Sequence, residues 1–187
     1  MRTSSGPASV RLHLNRFAIA TILAVGLLAV AWPAAAEIVY TKVNVQIPPS
    51  FSGTSYNLDL NNDGVTDFTF TVNGAIICGF PDECAWLFYS FVETPASGNG
   101  AEGSPPTNLA KGDQIGPSQT FYGGTGTIEG GPRPISLKGY LGLSFQIDGE
   151  THYGWAKISV NMKTGVVTLT SCAYETIANM PINAGQF

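Results

Sequence analysis

The stretch from Tyr140 to Val160, YLGLSFQIDGETHYGWAKISV, constrains the fold more than any other. Two runs of strand-forming residues flank Asp148-Gly149, a pair that suits a two-residue hairpin turn. The turn sets the register. Ile147 pairs with Glu150, Phe145 with His152, Leu143 with Gly154 and Leu141 with Ala156. Side chains alternate across a strand, so these residues share a face that Ile158 and Val160 continue. That face is expected to meet the core. The other carries Tyr140, Gly142, Ser144 and Gln146 against Thr151, Tyr153, Trp155 and Lys157. A slip of one residue would exchange the two faces.

Strand-like segments also dominate elsewhere. Glu37 to Ile47 alternates and stops at Pro48-Pro49. Ser55 to Leu60 and Phe68 to Val72 flank a polar loop, and Val166 to Tyr174 follows a turn near Lys163-Thr164-Gly165. Ala85 to Val92 suits a buried strand or one short helix. Thr94 to Asn108 has no apolar side chain larger than Ala or Pro and reads as a long exposed loop. Leu109 to Phe121 is ambiguous. The glycines of Tyr122 to Pro134 suggest a loop or irregular edge, and Asn179 to Phe187 an irregular tail. No helical period is sustained. The expectation is one all-β domain over residues 37 to 187, a two-sheet sandwich of jelly-roll-like kind.

The N-terminus reads differently. Arg2, Arg11 and Arg16 precede an apolar run from Phe17 to Ala31, and Ala34-Ala35-Ala36 follows Pro33. A basic start, a short apolar run and a small-residue site make a secretory signal peptide over residues 1 to 36. Fifteen apolar residues are few for a membrane span. With neither a twin arginine nor a lipobox cysteine, the general export route is expected. Cleavage of 36 residues from 187 leaves 151, enough for one domain with a core. Three of the nine basic residues go with it, leaving six against thirteen acidic ones, a net charge of −7. That balance disfavours nucleic acid and anionic membranes as partners and suits a cation. The mature part holds no second apolar segment, so no membrane anchor is expected after cleavage.

All three cysteines lie in the exported part. Cys78 and Cys84 enclose a short loop with a Pro-Asp turn signal, and an oxidising compartment would let them bridge. Cys172 is then expected to be buried, with pairing across the fold as the alternative.

One motif carries chemistry. Asp59 to Asp67 reads DLNNDGVTD, placing oxygen ligands at alternate positions around a glycine that permits a sharp turn. Side-chain oxygens of Asp59, Asn61, Asp63 and Asp67, with the Val65 carbonyl, would suit calcium, which takes six to eight oxygens. An EF-hand needs an acid at the twelfth position, where this chain has Phe70. The strand-like flanks resemble the calcium loops of integrin-type propeller repeats. The competing reading is an Asx-rich turn that binds nothing. Bound calcium would be structural.

No catalytic residue is assigned. His152 is the sole histidine after cleavage, sits on the core-facing side of the hairpin, and has no G-x-S-x-G elbow to serve. Asp148 and Glu150 flank a turn and read as solvated charges. The outer hairpin face gathers Tyr140, Tyr153 and Trp155 around Gly142. They form either a sugar-stacking platform or core beneath another layer.

Tyr140-Leu141-Gly142-Leu143, His152-Tyr153-Gly154-Trp155-Ala156, Ala173-Tyr174-Glu175-Thr176, Pro181-Ile182 and Ala184-Gly185 together resemble a family of secreted bacterial proteins, many with a PEP-CTERM sorting tail. Its members also carry an LNxDGxxDF segment, as Leu60 to Phe68 does here. This chain stops at Phe187 without that tail, so the resemblance implies export without surface anchoring, and it implies no activity. The expected function is a secreted, non-catalytic, calcium-stabilised β domain, structural or adhesive, in the cell envelope or matrix. A carbohydrate-binding module using Tyr140, Tyr153 and Trp155 is the alternative, and a polysaccharide-active enzyme the third possibility. A glycan or another envelope or matrix component is the expected partner.

Overall fold

Asp148 and Gly149 both take positive φ, 53° and 82°, as the tight hairpin turn requires. The computed structural model describes residues 36–79, 83–130, 138–161 and 163–187. Residues 1–35, nearly all of the expected signal peptide, lie outside the described residues. So does the 131–134 part of the glycine-rich segment. Among the described residues there are twelve strands and no helix.

The large sheet has six strands. β1 (Ile38–Ile47) lies beside β11 (Val167–Glu175), then come β10 (Glu150–Val160), β9 (Lys138–Ile147), β5 (Gly100–Glu102) and β7 (Phe121–Tyr122). The second sheet runs β2 (Thr54–Leu58), β3 (Phe68–Gly79), β4 (Glu83–Thr94) and β8 (Gly124–Gly130). β6 (Gln114–Ile115) and β12 (Ile182–Asn183) pair with each other. Each large sheet is built round an antiparallel meander, β9-β10-β11 in one and β2-β3-β4 in the other.

The hairpin takes the expected register, from Ile147 opposite Glu150 to Leu141 opposite Ala156. Its inner face joins Phe68, Phe70 and Val72 of β3, with Leu58 and Val92 from the flanking strands, in one core. Alternation puts these residues on one face of each sheet, and burying both faces together makes the sandwich.

Of the two readings of Ala85 to Val92, the strand holds, because the segment pairs with β3 along its whole length. One expectation needs correction. Thr94 to Asn108 is not an exposed loop. Gly100 and Ala101 pair with Ser144 and Leu143 and are buried. Gly100 fits because a Cβ there would lie 2.9 Å from Cβ of Phe121. The tail is irregular apart from the two residues of β12, and it forms a cover, with Ile182 and Ala184 buried over the outer face of the hairpin.

Candidate functional site

The DLNNDGVTD segment connects β2 to β3, whose last and first residues, Leu58 and Phe68, are paired. The Asp67 amide donates to the Leu58 carbonyl at 3.0 Å and closes the loop. Leu60 is fully buried in the core and anchors the near side. Between these anchors the polar side chains organise the backbone. Asp59 Oδ2 accepts from the Gly64 amide at 2.7 Å and Oδ1 from the Asp63 amide at 3.2 Å. Asp63 Oδ1 accepts from the Val65 amide at 2.7 Å, while Asn61 Nδ2 donates to Asp63 Oδ2 at 2.9 Å. Gly64 takes φ of 89°, which a side chain would strain.

Asp67 stands apart from the other acids. It is 3% exposed. Its Oδ2 accepts from the Leu60 amide at 2.8 Å, and its Oδ1 from Asn99 Nδ2 at 3.4 Å. Asn99 also donates to the Asp67 carbonyl and accepts from the Gln146 amide at 3.1 Å. One side chain thus ties the loop to the DG hairpin of the opposite sheet. Sequence reasoning missed Asn99, whose only signal is a lone amide between two glycines. Burial pushes the Asp67 carboxyl above its usual range. The Leu60 amide opposes that shift, and the nearby charges of Asp63 and Asp59 add to it. No basic side chain is among these influences.

The oxygens of Asp59, Asn61 and Asp63 therefore do in this structure what an Asx-rich turn does. Among the described residues, no three His, Cys, Asp or Glu side chains converge tightly enough to form a metal centre. The donor set is nonetheless the right chemistry for calcium. Each carboxylate offers about four lone-pair sites, and the backbone bonds occupy only part of that capacity.

Of the two readings of the hairpin's outer face, core beneath another layer holds and the sugar platform does not. Trp155 is 1% exposed, and Tyr140 and Tyr153 are also buried. Leu109, Ile115, Ile182 and Ala184 cover them in a second apolar cluster. Trp155 Nε1 donates to the Gln186 carbonyl at 3.1 Å, and Tyr140 meets Trp155 edge-on with ring centroids 5.2 Å apart. A covered face cannot stack on a sugar, so these three side chains are core. Gly185, at φ 74°, leaves room for the Tyr140 hydroxyl, which a Cβ would approach to 2.6 Å.

His152 is buried, with Nδ1 3.0 Å from the Glu175 carbonyl, a satisfied structural position. Cys78 and Cys84 face each other across β3 and β4 and form a disulfide, with Cα atoms 4.0 Å apart. Cys172 is free and buried, and burial pushes its thiol up to about 12. Glu102 was not singled out by its sequence context. Its Oε2 is buried without a hydrogen-bond partner and lies over Gly142. Burial raises its carboxyl pKa, and the charge of Asp113 raises it further.

Comparison with protein-family models, curated proteins and solved structures finds no match.

Proposed function

We propose that this chain is an exported, non-catalytic β domain whose β2–β3 loop binds calcium, with a structural or adhesive role in the cell envelope or matrix. The observation that carries the reading is the loop itself. The charges of Asp59 and Asp63 both reach the Asp67 carboxyl, with no basic group among the influences on it. An oxygen-rich loop of that charge recruits a hard cation more readily than any other ligand class. Asp59, Asn61, Asp63 and Asp67 would hold it by side-chain oxygens and Val65 by its carbonyl. The ion would supply charge neutralisation and a cross-link within the loop. The Cys78–Cys84 disulfide fits an oxidising compartment. So does the basic and apolar N-terminus, and both agree with the exported bacterial proteins that the chain resembles.

Calorimetric titration of metal-stripped protein tests the site directly. One calcium should bind per chain, and Asp63→Ala should remove most of the heat. That change deletes a central ligand and leaves Gly64 to make the turn. Absence of calcium binding to the wild type would reduce DLNNDGVTD to a turn.

A further inference from the structure

A cleft of about 130 Å³ opens where β8 and the end of β4 meet β5 and β7. Its lining residues include the apolar Val92, Ala101 and Pro106 and the hydroxyl-bearing Thr94, Ser104, Thr125 and Tyr122. Tyr122 is half exposed, at 50%. Glycines make much of the remaining wall, so the backbone itself reaches the ligand space. Thr94 Oγ1 accepts from the Gly124 amide at 2.7 Å and pins that wall. Gly126 packs so tightly that a Cβ would come within 2.7 Å of Pro106 Cγ.

Among the described residues, none that lines the cleft carries an acidic or basic side chain. A charged ligand would lose its hydration there with no opposite charge to replace it. A wholly apolar ligand would strip water from the hydroxyls of Ser104, Thr125 and Tyr122 without replacing its hydrogen bonds. The ligand class that matches both is a ring with an apolar face and a hydroxylated edge. We propose that this cleft binds one pyranose ring of a neutral polysaccharide, with Tyr122 against the face of the ring and Thr125 and Ser104 at its hydroxyls. The cavity holds about four waters at ~30 Å³ each. It falls well below the ~300 Å³ at which pockets begin to enclose a drug-sized ligand. A pyranose residue is bulkier than four waters, so only part of one ring sits in the cleft and the rest of the chain remains outside. The acidic excess of the protein also disfavours polyanionic glycans.

This inference supplies the ligand for the adhesive role proposed above. The cleft shares no residue with the calcium loop, so the two fail separately. Amide resonances of ¹⁵N-labelled protein, in calcium buffer and again in chelator, would be followed during titration with cellotetraose, xylotetraose or mannotetraose, and with tetragalacturonate as the charged control. At least one neutral tetrasaccharide should shift Tyr122 to Gly126 and Gly103 more than tetragalacturonate does. Tyr122→Ala should weaken that binding by about tenfold, equivalent to about 1.4 kcal/mol. Thr125→Val should weaken it with no change in melting temperature. The proposal is overturned if no neutral tetrasaccharide moves these amides, if tetragalacturonate binds as well, or if Tyr122→Ala binds like the wild type.

Discussion

Asp67 and Glu102 are carboxyl groups whose folded-state pKa values lie above the ordinary carboxylate range, chiefly through burial. Between the unfolded and folded pKa values the native state holds the extra proton, so stability falls as pH rises through that window. Their favourable contribution is complete only below about pH 4, where the unfolded carboxylates are also protonated. Glu102→Gln should therefore raise the melting temperature at neutral pH, with the gain vanishing near pH 4. A constant difference across that range would contradict the assignment. If the loop holds calcium, protons compete with it for Asp67, so stabilisation by calcium should shrink as pH falls toward the raised pKa of that carboxyl. Gly185 gives a third test at this scale. Gly185→Ala places a Cβ at positive φ against the Tyr140 hydroxyl, costing about 1–3 kcal/mol in denaturant unfolding through backbone strain alone. Asp67 was legible as a candidate ligand from its spacing, but not as a buried clamp. Its partner Asn99 lies 32 residues away, and no local pattern encodes that meeting.

Among the elements, the β9–β10 hairpin was legible down to its pairing, because Asp148-Gly149 admits one turn geometry and alternation does the rest. β11 was harder. Val167 and Leu169 face the core, yet so do Cys172 and Tyr174. The register shift in its pairing with β10, at Lys157/Ile158, explains the change of parity. Thr170 is the extra residue and donates its hydroxyl to the Lys157 carbonyl at 3.3 Å. The β6–β12 cover was illegible for another reason. Strands of two residues are too short to show a period, and their apolar content is thin. Ile182 is nevertheless fully buried, so Ile182→Ala should cost about 2–5 kcal/mol. An open aromatic face would have predicted almost none. The disulfide of β3 and β4 closes a loop with a sequence separation of only six. Changing both cysteines to serine should cost at most about 2 kcal/mol by the chain-entropy relation.

For the whole molecule, the sandwich and its cover account for every aromatic residue of the hairpin without invoking a ligand. Alternating strands, dense turn residues and no helical period made the all-β class readable. The third layer was not, because nothing local distinguishes a face buried by a distant tail from a face open to water. What the packing leaves over is the β2–β3 loop, with its like charges held between two buried anchors, Leu60 and Asp67. Calcium that binds only the folded state stabilises it by RT ln(1 + [L]/Kd), about 2.7 kcal/mol at a hundredfold excess over Kd. Magnesium, which requires tighter octahedral geometry, should do much less. The direct test is the melting temperature of metal-stripped protein at pH 7 in calcium, in magnesium and in chelator. The account predicts a clear rise with calcium alone, largely lost in Asp63→Ala. Superimposable melting curves in all three conditions would contradict it.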